Sequence, residues 1–565
     1  MNTPTPVIKQ SYGSLNDIIG TAIRTNWNLD AFTDMGGATL QYKEVAENIA
    51  KLHILFKAAG LRHDGTDKVA IVGRNTSNWA VTFIACLTYG AVAVPILHEF
   101  TPETLTYIIN HCDASLLFVD EAIWRRLDAE KMPSLQAVLY IAEYGMPFCR
   151  YKALQQAREH LNERFGEQYP SDFKPDSFTW YSDNDPEQIA LISYTSGSTG
   201  MSKGVILPYR SIWSNIRFTI DDLTFLKPGD GMVNMLPLAH LYGMIIEMLH
   251  PFVKGCHCYF ISKAPSPRVL MSAFAQVRPK LVITVPLVLE KIVRTQIFPQ
   301  LEKPKMRLLL ALPLVRKPVL RKIHDRLINV FGGQLREVII GGAAMGADVE
   351  QFLKSIDFPF TIGYGMTECG PLITYDPPKT VKFHSVGKVV DRMQVRIDSS
   401  DPERKPGNLW VRGANVMKGY YKNPEATAEV MPDPESGWMN TGDMCLMDKK
   451  GFITICGRSK AMILGPSGQN IYPEEIEVRL NALPYVAESL VIDEDGKLVA
   501  LIVPDQDAAA KAGIGVEALE HQMNENLKTL NRDIPAYSRV SSFKLHYEPF
   551  EKTPKQSIKR FLYTK

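Results

Sequence analysis

Short, nearly uncharged strands recur between helical runs through most of this 565-residue chain, and that alternation limits the fold more than any other feature. Residues 68–72, 116–119, 281–285 and 338–340 are such strands, built largely of Val, Ile, Leu, Ala and Phe. A strand that is apolar on both faces has to be covered on both, so the pattern predicts parallel βαβ units with helices on either side of a sheet. Residues 79–97 carry almost no charge, yet Gly90 and Pro95 divide them into a helix ending near Tyr89 and a strand over 91–94. That is one more α/β unit and not a membrane span. After His384 the strands come closer together, as at 395–398 and 408–411, which predicts a β-rich unit. Beyond Arg458 a separate small α+β unit is expected: Pro473 opens a helix led by Glu474 and Glu475, and strands over 489–492 and 498–503 flank the turn Asp495-Gly496.

The expected fold class is therefore α/β. A large N-terminal domain spans 1–458, with two doubly wound α/β subdomains at about 1–180 and 181–383 and a β-rich subdomain at 384–458. A small α+β C-terminal domain spans 459–565. Hydrophobic content of 45% and charged content of 22% are those of an ordinary globular protein, and the length suits three or four compact units. A formal net charge of +2 gives no electrostatic reason to expect a nucleic-acid partner. The eight cysteines include no CxxC pair. Cys256-His257-Cys258 is too tight a cluster to hold a metal without further ligands. With no signal-peptide pattern over 1–15, the thiols are expected to be free in a reducing cytosol, and the sequon Asn75-Thr76-Ser77 then carries no meaning.

Between two apolar runs lies Ser193-Tyr194-Thr195-Ser196-Gly197-Ser198-Thr199-Gly200-Met201-Ser202-Lys203-Gly204. Glycines bare backbone N–H groups to a ligand, four hydroxyls add donors, and Lys203 adds a full positive charge, which together suit a polyphosphate. A Walker-type P-loop is disfavoured, because Ser202 stands where that pattern needs glycine, Lys203 is followed by Gly204, and the loop exits into a strand over 205–208. A flexible surface tract is the ordinary reading of Gly/Ser-rich chain. Against it, the residue order closely resembles the signature loop of the adenylate-forming superfamily, which includes acyl-CoA synthetases, luciferases and peptide-synthetase adenylation domains.

Three further segments carry the resemblance over most of the chain. Gly363-Tyr364-Gly365-Met366-Thr367-Glu368 offers an aromatic ring, a hydroxyl and a carboxylate. The resemblance assigns Tyr364 to the purine, Thr367 to the α-phosphate and Glu368, with Thr199, to Mg²⁺. Asp443 and Arg458, in Thr441-Gly442-Asp443 and Gly457-Arg458, read as a ribose clamp, since a carboxylate accepts from two hydroxyls and a guanidinium supplies a fork of donors. Gly341-Gly342-Ala343, at the end of an apolar strand, is implied to meet adenine and the acyl group. The phosphates would rest on Thr195, Ser196, Gly197, Ser198, Thr199, Gly200 and Lys203.

In the resembled family the C-terminal domain is a mobile lid that swings at a hinge, here Lys460, between two half-reactions. Its last loop normally brings a lysine into the site, but Ser557 falls at that position, with Lys555 and Lys559 two residues to either side. Three readings stand: Lys555 or Lys559 replaces the lysine by a shift of register, which is the favoured one; adenylation is slow; or the enzyme takes a pre-formed adenylate. His240, Tyr242 and Gly243, in Leu236-Pro237-Leu238-Ala239-His240-Leu241-Tyr242-Gly243, resemble the segment that holds the carboxylate in long-chain fatty acyl-CoA ligases. The apolar residues Ile245, Ile246, Met248 and Leu249 suit an acyl chain, and also a buried helix, core packing being the more common reason for such a run.

The implied activity is ATP-dependent formation of an acyl adenylate from a fatty acid, followed by transfer to coenzyme A, with ATP, Mg²⁺ and coenzyme A as cofactors or co-substrates. Alternatives are an acyl-AMP ligase that loads an acyl carrier protein, an aryl or short-chain CoA ligase, and a nucleotide-binding protein without turnover. A homodimer is open. Residues 303–326 hold eight Lys/Arg and one acidic residue among leucines and valines. Two readings are weighed there: a solvated helix face beside buried leucines, which is favoured, and a peripheral contact with anionic lipid. The expected location is cytoplasmic, at the inner membrane surface under the second reading.

Overall fold

The computed structural model describes residues 13–195, 202–261, 266–464, 470–494, 496–553 and 558–564. An eight-stranded sheet forms the centre of the N-terminal body, in the order Gly419–Tyr420, Lys203–Pro208, Ile189–Thr195, Val92–Ile96, Lys68–Val72, Leu116–Val119, Ala137–Tyr140, Phe148–Cys149. Val69, Ala70, Ile71 and Val72 are all buried, as is nearly every residue of the helix Ser77–Tyr89 that precedes Val92–Ile96. Thr76 caps that helix by accepting the N–H of Trp79, and Gly90 ends it in the left-handed conformation at φ +88°, the stop expected from sequence.

Among the described residues four smaller sheets complete the body, one of them the antiparallel set Tyr364–Gly365, Leu372–Tyr375 and Lys388–Val389. Gly231–Asn234, His257–Phe260, Asp30–Asp34 and Thr39–Gln41 form a second; Leu281–Thr284, Glu337–Ile340 and Phe360–Ile362 form a parallel third; Met393–Asp398, Gly407–Gly413, Met439–Met447 and Ile453–Arg458 form the antiparallel unit expected after residue 384. The C-terminal domain has its own core, with Val486–Glu494, Lys497–Pro504 and Ser542–Leu545 packed against the helices Pro473–Asn481 and Val516–Asp533.

The sheets do not respect the expected division near residue 180. Leu191 pairs in parallel with Ala93, so the strands Ile189–Thr195 and Lys203–Pro208 extend the first sheet, while Asp30–Asp34 and Thr39–Gln41 join a sheet with Gly231–Asn234 and His257–Phe260. The two α/β regions interleave, because apolar strands are buried wherever they find a parallel neighbour and sequence order does not say where that is.

The favoured reading of 303–326 is also corrected. The helices Pro304–Ala311 and Pro313–Val330 do not bury the leucines of this stretch: Leu308 is 65% exposed, Leu312 47% and Leu314 94%. By contrast Ile245, Ile246, Met248 and Leu249 are buried in the π-helix Tyr242–Leu249. Among the described residues no helix is long and apolar enough to cross a membrane.

Candidate active site

Asp443 and Arg458 face each other as register partners on the adjacent strands Met439–Met447 and Ile453–Arg458. Arg458 Nε stands 2.9 Å from Asp443 Oδ1, and the hydroxyl of Tyr364 donates to Oδ2. The Asp443 side chain is 5% exposed. Burial pushes its carboxyl up, opposed by the Arg458 guanidinium and the Tyr364 hydroxyl, and burial beside Asp443 pushes the Tyr364 phenol well above its ordinary value. Thr441 sets the turn before Asp443: its hydroxyl donates to the carbonyl of Leu409 at 2.9 Å and accepts the N–H of Asp443 at 3.1 Å. Each carboxylate oxygen holds one protein donor and retains a lone pair, so two vicinal hydroxyls still have a place.

Glu368 follows Tyr364 on the turn Thr367–Cys369, where Thr367 is buried. Its charge acts on both Asp443 and Arg458. The Tyr420 hydroxyl donates to Glu368 Oε1 at 2.9 Å, the N–H of Met417 donates to the Glu368 carbonyl at 2.8 Å, and Lys203 Nζ lies 5.1 Å from the centroid of the Tyr420 ring. Tyr420 thus joins the expected phosphate lysine to the expected Mg²⁺ ligand. Sequence reading missed it, because its position comes from antiparallel pairing of Gly419–Tyr420 with Lys203–Pro208. Among the described residues, Glu368 Oε2 has no hydrogen-bond partner, and no group of three His, Cys, Asp or Glu could hold a metal ion alone. One carboxylate with an open oxygen fits Mg²⁺ of the kind completed by substrate phosphates and water.

Thr195 and Lys203 are themselves a register pair, the two posts of the loop between them. Ser196, Gly197, Ser198, Thr199 and Gly200 lie outside the described residues, so their expected phosphate and metal roles receive no geometry.

Gly341 ends the strand Glu337–Ile340, and Gly342 turns the chain at φ +89°. A side chain on Gly341 would meet the Tyr242 ring at 3.2 Å, which makes the absence of a Cβ there a condition of the close approach. Gly342 and Ala343 are exposed. The Tyr242 hydroxyl donates to the carbonyl of Ile339 at 3.0 Å, and its N–H donates to His240 Nδ1 at 3.3 Å. Expected acyl-segment and adenine-turn residues therefore touch. Gly243 sits tightly beneath, with the Pro237 carbonyl 2.6 Å from where its Cβ would stand, and Gly365 presses still more closely on the backbone of Pro371.

Glu247, also missed, is hidden among the apolar residues Ile245, Ile246, Met248 and Leu249. Buried completely, it accepts the N–H groups of Met235 at 3.0 Å and Leu236 at 2.9 Å, tethering the strand that leads to His240. Burial drives its carboxyl well above the ordinary range. A second buried acid, Glu337, accepts the Tyr375 hydroxyl at 2.7 Å and is pushed up to about 7 by burial.

The groups expected from the C-terminal domain stand otherwise. Lys559 Nζ pairs with Glu551 at 3.1 Å, and Arg560 binds Glu477. Lys555 and Ser557 lie outside the described residues. Lys460, the expected hinge, pairs with Glu429 at 2.6 Å. What the C-terminal domain sets beside Arg458 is the start of Pro473–Asn481: Glu474 Oε2 is 3.0 Å from the place a Gly457 Cβ would take, and its charge acts on Arg458.

Residues 21–421 match the model of the AMP-binding enzymes, and residues 461–565 that of the AMP-binding enzyme C-terminal domain. The chain is 28% identical to human long-chain-fatty-acid–CoA ligase 1 over 566 residues, covering 90% of this chain and 78% of that one. It is 26% identical to the long-chain-fatty-acid–CoA ligase of Escherichia coli O6:H1 over 533 residues, 90% and 88% of the two chains. In fold it is similar to the crystal structure of the anthranilate CoA ligase AuaEII in complex with anthranoyl-AMP, with a TM-score of 0.78, 20% identity and coverage of 98% and 96%.

Proposed function

We propose, from the premise that this chain belongs to the AMP-binding enzymes, that it joins a long-chain carboxylic acid to coenzyme A through an acyl adenylate. The observation that carries the reading is the set of groups around Asp443: a ribose acceptor held by Arg458 and Tyr364, beside Glu368, Tyr420 and Lys203. Two relatives named as long-chain-fatty-acid–CoA ligases support the choice of acid and acceptor.

In this reading Asp443 receives the ribose hydroxyls, the turn Gly341-Gly342-Ala343 lies against adenine with Tyr364 on the purine, and Thr367 donates to the α-phosphate. Lys203 and the loop from Thr195 carry the β- and γ-phosphates. Mg²⁺ held by Glu368 would supply positive charge to the phosphate oxygens. His240, Tyr242 and Gly243 set the carboxylate, one oxygen of which attacks the α-phosphorus as the bond to the β-phosphate oxygen breaks and pyrophosphate leaves. Lys559 or Lys555 neutralises charge at that step, a contribution of the kind that preorganised cations make large. A turn of the C-terminal domain at Lys460 then admits the thiol; its sulfur attacks the acyl carbon, AMP departs, and the thiol proton passes to solvent.

Mass spectrometry of the protein incubated with ATP, Mg²⁺, coenzyme A and a mixture of acids from acetate to stearate plus benzoate tests the reading. Long-chain acyl-CoA is the expected product. Acyl adenylate without thioester would replace coenzyme A by a carrier protein as acceptor, benzoyl-CoA would replace the acid class, and neither product with ATP still bound would overturn the ligase.

A further inference from the structure

The helix Pro304–Ala311 has no buried residue. A helix of eight residues is marginal in water by itself, and amphipathic helices normally gain their stability by burying an apolar face. Here the apolar side chains Leu308, Leu309 and Leu312 point to solvent. The next helix, Pro313–Val330, is divided along its length. Ile323 and Leu327, one turn apart, are buried and fix its second half to the body, while residues 311–318 are exposed throughout. On the side away from Ile323 the spacing places Leu314, Lys317 and Arg321 in one row. Leu287, 74% exposed, adds a further leucine on the helix Pro286–Ile292 earlier in the same helical run.

The charges are as one-sided as the leucines are exposed. Eight Lys/Arg stand against Asp325 between 303 and 326, and none of the eight pairs with a carboxylate among the described residues. Elsewhere the molecule pairs its exposed cations freely, as at Arg294 with Asp348, Lys382 with Asp448 and Lys422 with Asp113. With a net charge of only +2 over the whole chain, this is a local concentration and not a general basicity. Contiguous exposed apolar surface rimmed by unneutralised cations is what an anionic bilayer complements: the ammonium and guanidinium groups meet lipid phosphates and the leucines enter the acyl boundary.

We propose that the helices Pro304–Ala311 and Pro313–Val330 dock this protein on the surface of an anionic lipid bilayer. The docking face includes none of the residues proposed to hold the nucleotide. It joins the site through the chain, since the helix Pro286–Ile292 begins next to Val285, whose Cγ1 is 3.7 Å from where a Cβ on Gly342 would stand. A bound bilayer would thus sit over the same run of chain that leads from the adenine turn.

Cosedimentation of the full chain with vesicles of phosphatidylglycerol and phosphatidylcholine, against vesicles of phosphatidylcholine alone, tests this. Binding is expected only to the anionic vesicles and is expected to fall steeply on raising salt to about 0.5 M. The triple variant Lys317→Gln, Arg321→Gln, Lys322→Gln should bind about a hundredfold more weakly, at roughly fivefold per charge. The double variant Leu308→Asp, Leu314→Asp should lose about tenfold or more, the cost of withholding buried leucine. Because these side chains are exposed, ATP–pyrophosphate exchange without vesicles should stay at the wild-type rate in both variants. No binding to anionic vesicles at low salt, or wild-type binding by both variants, overturns the proposal. A self-association in sedimentation velocity that Leu314→Asp abolishes, without vesicle binding, would overturn it in favour of a second copy of the chain. Failure of the ligase reading is read separately, as absent exchange in a wild type that still binds vesicles.

Discussion

Asp443 takes one donor on each carboxylate oxygen, from Arg458 across a hairpin and from Tyr364 on a distant strand, whereas Lys559 gives its ammonium to Glu551, eight residues away in its own segment. In the first arrangement the carboxylate is buried, and its place depends on strand register. The second is local, with Glu551 64% exposed. Two ways of holding charge follow. In the body the groups are set before any ligand arrives, and moving one leaves a buried partner unsatisfied. In the C-terminal segment the pair is solvated, and its rupture costs at most about 1 kcal/mol. A lysine held so lightly can leave its carboxylate for a developing phosphate charge at almost no expense.

The contrast breaks most sharply at Asp443. Asp443→Ala leaves the Tyr364 hydroxyl without its acceptor and removes the proposed ribose acceptor, and should lower kcat/KM for ATP–pyrophosphate exchange about a hundred- to a thousandfold. A loss below about tenfold would mean that the buried cluster is packing and not a binding device.

Glu337 extends the comparison to stability. Its carboxyl rises from 4.5 to about 7 on burial, so the folded state holds that proton more tightly than the unfolded one. Below the unfolded value the two states are equally protonated and nothing is lost. As pH climbs through the window from 4.5 to about 7, stability falls, by on the order of 3 kcal/mol in total. Glu337→Gln should remove that slope, so thermal unfolding at about pH 5 and about pH 8 should show the variant gaining on wild type at the higher pH. Parallel curves would leave the buried acid without a role in the pH response.

Tyr420→Phe tests whether Glu368 is held in place as Asp443 is. Losing one hydrogen bond to a carboxylate should raise the Mg²⁺ requirement of exchange about five- to tenfold, with the fold unchanged. An unaltered Mg²⁺ dependence would make the Tyr420–Glu368 contact incidental. Smallest is Glu551→Gln, which frees Lys559. The exchange rate should rise by less than about threefold, the scale of an exposed pair. A change of tenfold in either direction would show that Lys559 is not lightly held, and the contrast between the two regions would be lost.

Much of this was legible in the residues and the rest was not, for one physical reason. Asp443 and Arg458 can be read from the chain because a hairpin brings them together across a short turn, and Gly341-Gly342 because a strand that breaks into glycines is a local sign. Tyr420 could not be, since its value lies in the pairing of Gly419 with Ile206, far apart in sequence. The same holds for the sheet that crosses the expected division at 180, where Leu191 finds Ala93. Glu247 escaped because a lone carboxylate in an apolar run gives no hint that two backbone N–H groups wait for it. For 303–326 a solvated face beside buried leucines is the ordinary expectation because most leucines belong to a core, and here the exposed Leu308, Leu312 and Leu314 are the informative ones.

The edge strand Gly419–Tyr420 has a consequence for how this chain can change. Successive side chains along a strand point to opposite faces, so adding or removing one residue there would turn the Tyr420 hydroxyl away from Glu368 while leaving every letter nearby intact. The Met417 N–H, already bonded to the Glu368 carbonyl, fixes the other end of the same short span. Between Met417 and Tyr420 the count of residues is therefore constrained, and so is the identity of Gly419, whose φ of +143° and closeness to Thr427 leave no room for a side chain. In a collection of related chains, substitutions should be common at Lys418, rare at Gly419, and gaps should be absent.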